Sequence, residues 1–312
     1  MSIVKVQARL SALQLAQTIG RSWGTNDMSS FLSLFAQDAT IIHPFFQEPI
    51  SPTIAADVMN ATVCGTTEYK GFVLLAGEGD GRQDIIEMYF DETGEAANYN
   101  PSYIGRMSVR AKLVDHRFTE LCVRGYELIQ RFPTRRSPLQ RDDLGQLNTL
   151  DLSRHLVQAW TTNDMNRFVS LFAKNAPIMH PLFASPITPE IAADVLNSAT
   201  RATSILQPLR LITGDGSGEY DTVNLFVYET GQEGGYIPNT AGILHMTAKI
   251  IDHRIEELFV HGYTPTPAVT NPDISPTLCL ESFDKQQAIQ TERVTVGETS
   301  YERLVEVPSY EA

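Results

Sequence analysis

Trp23-Gly24-Thr25-Asn26-Asp27-Met28 returns later in the chain as Trp160-Thr161-Thr162-Asn163-Asp164-Met165, a constant offset of 137 residues. Held without a gap, that offset carries His43-Pro44 onto His180-Pro181, and Ile54-Ala55-Ala56-Asp57-Val58 onto Ile191-Ala192-Ala193-Asp194-Val195. It reaches Glu92-Thr93-Gly94 and Glu229-Thr230-Gly231, then Asp115-His116-Arg117 and Asp252-His253-Arg254, and ends at Gly125-Tyr126 and Gly262-Tyr263. Self-similarity at one fixed period means that one structural unit occurs twice. A length of 312 residues suits two domains of ordinary size.

Each unit reads as two helices, a strand, a helix and then several strands. Residues 7–22 place Leu10, Leu13 and Ile19 at helical spacing, and Thr25-Asn26-Asp27 is capping chemistry for a second helix bearing Met28, Phe31, Leu34 and Phe35. Residues 39–43 read as a short strand ended by Pro44, and residues 54–61 as a third helix after Pro52. From Phe72 the apolar period becomes two, giving strands over 72–76, 85–90, 104–114 and 118–126. The glycine-rich run 77–81 and the pair Asp115-His116 mark turns, as does Gly214-Asp215-Gly216-Ser217-Gly218 in the second unit.

Composition excludes several partners. A net charge of −13 repels phosphates and offers no basic patch, so no nucleic acid is expected. No apolar stretch reaches the length of a membrane span, and residues 1–6 lack a secretory leader's pattern; the expected location is cytoplasmic. Cys64, Cys122 and Cys279 are widely spaced and odd in number, which argues against both a metal site and a disulfide framework. No metal and no cofactor are expected.

Trp23 through Ala39 resembles the opening of SnoaL-like members of the nuclear transport factor 2-like superfamily, and Val114-Asp115-His116-Arg117-Phe118 with Glu120 resembles their characteristic hairpin, with His116 where glycine is common. Both stretches recur in the second unit. The resemblance covers about residues 7–126 and 144–263 and implies an α+β fold: two tandem cones, each a curved mixed or antiparallel sheet carrying three helices. It implies an intrachain pseudo-dimer, with further self-association open. The expected layout is a first copy over residues 1–126, a linker over 127–149, a second copy over 150–263, and a tail from 264 in which 292–296 and 300–307 read as a hairpin closing a cavity or clamping the domains.

The fold is shared by isomerases, dehydratases, epoxide hydrolases, cyclases and non-catalytic binders, so the site must decide the activity. Steroid isomerases of the superfamily keep a basic aspartate where His43-Pro44 and His180-Pro181 stand here, and an imidazole can take that proton near neutral pH. The acidic oxyanion donor of those isomerases falls on Val109 and Met246, and the aspartate of SnoaL-like cyclases on Tyr126 and Tyr263, so neither motif is complete. The Asp-Arg-Asp set of limonene epoxide hydrolases is also missing. By strand parity Phe118, Glu120, Cys122, Arg124 and Tyr126 share one face, taken as the concave one; Leu121 and Val123, with Leu258 and Val260, share the other and are expected to pack sheet against sheet.

The candidate catalytic set is therefore His43, Glu120, Arg124 and Tyr126, with equivalents His180, Glu257, His261 and Tyr263, in a pocket walled by Phe31, Phe35, Phe45 and Phe46. Against each stands a structural reading: the histidines as strand-end hydrogen-bonders, the glutamates as ion-pair partners, Asp115-His116 as a plain hairpin turn. Phe259 in place of Cys122 is expected to fill the second cone, leaving the first as the functional one. The expected function is a cofactor-independent enzyme of specialised metabolism that cyclises, isomerises or dehydrates an apolar polyketide- or terpenoid-like intermediate. The alternatives are a carrier or sensor of an apolar molecule and a protein-interaction module. An enzyme needs a cavity with a perturbed titratable group; a carrier needs a cavity whose polar groups are all paired among themselves.

Overall fold

The computed structural model describes residues 9–62, 67–92, 99, 101–130, 146–199, 204–230, 236–268, 278–280, 290–296 and 299–305. Helix α1 (Ala12–Gly24) starts where Ser11 and Gln14 cap each other: Gln14 N donates to Ser11 Oγ at 3.3 Å, and Ser11 N donates to Gln14 Oε1 at 2.9 Å. That cap is why the helix begins later than residue 7. Asp27 caps α2 (Met28–Ser33), and Ser51 with Pro52 at the first position starts α3 (Pro52–Val58), which runs into a 3₁₀ turn over Asn60–Thr62. Phe35, expected on the second helix, opens strand β1 (Phe35–Ile42). Strands β2 (Thr67–Ala76), β3 (Gln83–Glu92), β4 (Tyr103–Val114) and β5 (Arg117–Gln130) complete a sheet ordered β1-β5-β4-β3-β2, with β1 parallel to β5 and the other pairs antiparallel.

The second half follows the same order: α4 (Thr149–Thr161), α5 (Met165–Ser170), β6 (Ile178–Met179), α6 (Pro189–Val195), a 3₁₀ turn over Asn197–Ala199, β7 (Ser204–Leu206), β8 (Leu209–Thr213), β9 (Tyr220–Glu229), β10 (Thr240–Ile251) and β11 (Arg254–Pro267). Its sheet runs β12-β8-β9-β10-β11-β6, with β7 also on β9 and β12 (Leu278–Leu280) at the edge. The fold is α+β, two curved mixed sheets in tandem, each carrying three helices. By compactness the chain divides into residues 1–279 and 280–312, so both halves lie in one body. Residues 280–312 contain a hairpin of β13 (Gln290–Val296) and β14 (Thr299–Val305). Cys64, Thr93-Gly94 and most of the 127–149 connector lie outside the described residues.

The glycine runs are loops around buried carboxylates. Asp84 accepts from Gly79 N at 2.8 Å and Gly81 N at 2.6 Å; Asp221 accepts from Asp215 N, Gly216 N and Gly218 N at 3.0, 2.9 and 2.6 Å. Asp115-His116 and Asp252-His253 are two-residue turns with all four residues left-handed. Their imidazoles hold the chain just before the first helix of each half, His116 Nδ1 at 3.0 Å from Leu10 O and His253 Nδ1 at 2.9 Å from Leu147 O.

The parity expected for the last strand is overturned by two bulges. Against β4, residue 119 and then residue 124 are skipped: Lys112 faces Glu120 but Leu113 faces Phe118, and Ser108 faces Gly125 but Val109 faces Val123. Phe118, Leu121 and Val123 therefore point into the cone and are buried, while Glu120 and Arg124 are exposed on the outer face. Tyr126 returns inward only because the second bulge resets the phase. The same shifts in β11 bury Ile255, Leu258 and Val260 and turn Glu257, Phe259 and His261 outward. The apolar stripes Leu121/Val123 and Leu258/Val260 belong to the cores of their own halves and do not join sheet to sheet.

The halves join instead through helices, loops and strand ends. Asp57 on α3, fully buried, accepts from the Tyr236 hydroxyl and from the backbone of Asn239 (3.1 Å) and Thr240 (3.0 Å) at the start of β10. Asp194 on α6 reciprocates with Ser102 N (3.0 Å) and Tyr103 N (3.2 Å) at the start of β4. The loop after each histidine crosses to the other half: Tyr263 N donates to Phe45 O at 2.8 Å, and Tyr126 N to Leu182 O at 2.9 Å. Close approach demands glycine there, since a Cβ on Gly262 would lie 2.4 Å from Phe45 O and one on Gly125 2.7 Å from Leu182 O.

Candidate functional site

At this junction lies a cavity of about 140 Å³ whose wall comes from both halves. The second half contributes the inner faces of its helices and sheet, among them Leu156, Trp160, Phe168, Met246 and Val260; the first contributes Trp23, His43, Phe45, Asn60, Glu92 and Tyr126. The core of the first cone keeps only a void of about 10 Å³, bounded by Trp23, Phe31, His43, Leu121 and neighbours. This reverses the expected asymmetry. Phe259 points outward and fills nothing, whereas Phe90 and Phe118, both fully buried, occupy the first cone where Val227 and Ile255 stand in the second. Phe90 packs on Trp23 and Tyr69 at 5.7 and 6.0 Å, closing the space that a valine leaves open.

His43 and His180 follow the ends of β1 and β6 and both line the cavity. Phe45 stands between them, its ring centroid 5.4 Å from His43 and 4.9 Å from His180, and 5.0 Å from Tyr263. Loss of hydration holds both imidazoles near a pKa of about 3, with mutual repulsion adding to the effect at His43. They are neutral at physiological pH. His43 Nδ1 accepts from Phe45 N at 3.2 Å and His180 Nδ1 from Leu182 N at 3.3 Å. A neutral imidazole has one lone pair in the ring plane, so these bonds assign the proton to Nε2 in each ring. Each histidine is thus built as a hydrogen-bond donor, which opposes the general-base role expected for His43.

The basic or acidic group of the cavity is one that sequence reading passed over. Glu92, at the end of β3, is buried, lines the cavity, and accepts from the Tyr126 hydroxyl and from Thr67 Oγ1 at 3.2 Å. Burial raises its pKa, and the two hydrogen bonds partly oppose that rise. Tyr126, buried against this carboxyl, has its phenol pushed well above the usual value and stays protonated. The pair recurs as Glu229 with Tyr263 and Ser204, the carboxyl raised to about 6 by the same burial. The repeated acid at the end of an alternating strand was the available signal. It was masked by the following Thr-Gly, which reads as a turn.

Two further wall residues carry unmet hydrogen-bonding capacity. Nε1 of Trp23 and Nε1 of Trp160 are buried and have no acceptor among the described residues. Of the expected site residues the structure thus brings together His43, Tyr126, His180, Tyr263 and Phe45, with Phe46 packed on Tyr263 at 6.0 Å. Phe31 and Phe35 fill the first core, 4.9 Å apart. Glu120, Arg124, Glu257 and His261 are outside the cones; His261 stacks on His245 at 4.2 Å on the outer sheet face. Among the described residues no group of three or more His, Cys, Asp or Glu side chains is placed to hold a metal ion, and no helix is long and apolar enough to cross a membrane.

No family model matches the chain, and no curated protein does. Among solved structures it is similar to a proposed polyketide cyclase from Pseudomonas putida, at 13% identity and a TM-score of 0.28, over 36% of this chain and 90% of that one. It is also similar to the Orange Carotenoid Protein of Anabaena (Nostoc), solved with canthaxanthin, at 11% identity and a TM-score of 0.27, over 46% of this chain and 45% of that one. This chain therefore spans less than half the length of the carotenoid-binding neighbour.

Proposed function

We propose that this protein is a cofactor-independent enzyme that moves protons on an apolar small molecule held between the two cones, giving isomerisation, cyclisation or dehydration. The observation that carries the reading is a buried carboxyl, Glu92, with a raised pKa in the wall of a mostly apolar cavity that also presents hydrogen-bond donors. Such a carboxyl is a stronger base than one in water when ionised, and a competent acid when not. Glu92 takes a proton from a carbon beside a carbonyl; the C–H pair becomes the carbon–carbon double bond of the enolate, the carbonyl π pair moves onto oxygen, and that oxygen accepts from His43 Nε2–H. Return of the proton to another carbon isomerises the substrate. Attack by the enolate carbon on a second carbonyl closes a ring, and the new alkoxide takes the proton back from Glu92; in dehydration the C–C double bond forms as the β-hydroxyl leaves with that same proton, as water. Apolar walls keep water away, so each hydrogen bond acts at low dielectric.

A carrier is the second reading, favoured by the hydrogen bond that each Glu92 carboxyl oxygen already accepts, one from Tyr126 and one from Thr67. The two readings separate in heavy water. A small cyclic ketone incubated with the enzyme should exchange the hydrogens beside its carbonyl faster than in buffer, followed by NMR. Glu92→Gln should lower that exchange roughly 10²–10⁴-fold, the usual size of a lost general base, with the circular dichroism spectrum unchanged. Binding without exchange above buffer would assign the protein to the carriers.

A further inference from the structure

Two asparagines stand in the cavity wall at equivalent places in the halves, Asn60 opening the 3₁₀ turn after α3 and Asn197 the one after α6. They are only 4% and 8% exposed, and neither amide forms a hydrogen bond among the described residues. The indole nitrogens of Trp23 and Trp160 are sealed in packed surroundings; the two amides are not, so the surface they keep is cavity surface. The same holds for Nε2 of His43 and His180, whose Nδ1 atoms are committed to the backbone. The cavity thus has two polar ends, His43 with Asn60 and His180 with Asn197. The first alone has an acid beside it: Glu92 lines the cavity, whereas its counterpart Glu229 stands outside the wall, bonded to Tyr263 and Ser204.

A buried amide or imidazole N–H without a partner loses the hydrogen bonds it made in water, so each end is complete only when a polar group meets it. Neither Lys nor Arg lines the cavity and both imidazoles are held neutral, so a carboxylate would be buried without a countercharge, and the oxygens that enter are uncharged. The Phe45 ring is 5.4 Å from the imidazole of His43 and 4.9 Å from that of His180, so the two imidazoles lie no farther apart than those distances laid end to end. One six-membered ring with oxygens on opposite carbons bridges such a gap, and a volume of about 140 Å³ matches a cavity that takes up benzene. We infer that the ligand is a neutral, ring-sized molecule with two oxygens: one is the carbonyl that meets His43 and Glu92, and the other is a carbonyl or hydroxyl held by His180 and Asn197, which recognise it without reacting. An amide both donates and accepts, so Asn197 suits either group. This inference rests on the proposed function in placing the reacting carbonyl at His43.

The full chain is titrated by calorimetry with cyclohexane-1,4-dione and with 4-methylcyclohexanone, which puts a methyl group where the dione has its second oxygen. If the far end of the cavity were apolar the methyl ketone would bind tighter, because a methyl group leaves water at a gain and a carbonyl at a cost. With His180 and Asn197 there, the dione should bind about 3–10-fold tighter, the size of one neutral hydrogen bond and more than its two equivalent orientations supply. Asn197→Leu keeps the branched shape and deletes the amide; it should reverse that order. If the variant does not fold, the order of the two ketones on the native chain decides alone. Exchange of the hydrogens beside the carbonyl, followed in heavy water with the same two ketones, reads the proposed function separately. A methyl ketone bound as tightly as the dione, or a preference for the dione that survives in Asn197→Leu, overturns the inference whatever the exchange rate. A preference lost in the variant, with no exchange above buffer, keeps the two-oxygen ligand and makes the protein a carrier. Saturation by neither ketone overturns the site itself and the inference with it.

Discussion

At the residue scale, the decisive fact is which ring nitrogen carries the proton. His43-Pro44 and His180-Pro181 were visible as a repeated motif, and residue type pointed to a base. What no sequence carries is the partner of Nδ1: the backbone N–H two residues on for both histidines takes the lone pair and turns a base into a donor. The same burial has a stability consequence. A histidine whose folded pKa lies below its unfolded value binds protons mainly when unfolded, so its contribution is complete above about pH 6.5 and is lost as pH falls toward about 3. Glu229 acts oppositely: with a folded pKa of about 6 it binds protons mainly when folded, and adds stability as pH falls from about 6 to about 4.5. From pH 7 to pH 5 the two histidines therefore cost stability, on the order of a few kcal/mol, and the raised carboxyls Glu229 and Glu92 oppose part of that loss. Urea midpoints measured at the two pH values should show it. His43→Gln should reduce the difference by about half; an unchanged pH dependence in that variant would mean that His43 titrates normally.

At the element scale, helices and strands were legible because period and caps agree: Ser11 with Gln14, Asp27 with Ser30, and Pro52 after Ser51 are local signals with local causes. The faces of β5 and β11 were not legible, because a bulge adds one residue without changing the apolar alternation on either side of it. Glu120, Cys122, Arg124 and Tyr126 look like one face, yet residue 124 is skipped and Tyr126 changes sides. Gly125 and Gly262 were the available clue, since each sits in the bulge with positive φ, 117° and 129°. These glycines do two things at once, adopting a left-handed conformation and admitting the other half's carbonyl. Gly71 separates the two: its φ is 145°, but an added Cβ would meet nothing within 4 Å. Gly71→Ala should therefore cost only backbone strain, about 1 kcal/mol. Gly262→Ala adds a collision with Phe45 O and the loss of the Tyr263 N to Phe45 O bond, about 3 kcal/mol or more in denaturant unfolding. Equal losses for the two variants would show that the inter-half approach has no energetic weight.

At the scale of the whole molecule, duplication did more than place two cones on one chain. A lone half would leave the buried carboxylate of Asp57, or of Asp194, facing water without the backbone donors that now satisfy it. It would also lose one side of the cavity, since Trp23, His43 and Glu92 come from one half and Trp160, His180 and Tyr263 from the other. The core itself crosses the boundary: Leu182 packs into the first core, and Phe45 against the second. The repeat was plain in the sequence, and so was Ile-Ala-Ala-Asp-Val within it, but an aspartate on a short apolar helix reads as a surface residue until the partner half is in place. The two halves should therefore not behave as independent domains. Expressed separately, residues 1–130 and residues 146–268 are expected to form homodimers through the self-equivalent junction or to aggregate; mixed, they should assemble one to one, because only that pairing sets Phe45 against the Val227 cone and Leu182 against the Phe90 cone. Light scattering on the separated and mixed fragments reads the stoichiometry, and the exchange of ketone hydrogens in heavy water reports whether the cavity has been rebuilt. A monomeric, cooperatively folded first half that gains nothing from the second would sink this account, because it would mean that the shared polar and apolar contacts follow from tethering and do not hold the cones in shape.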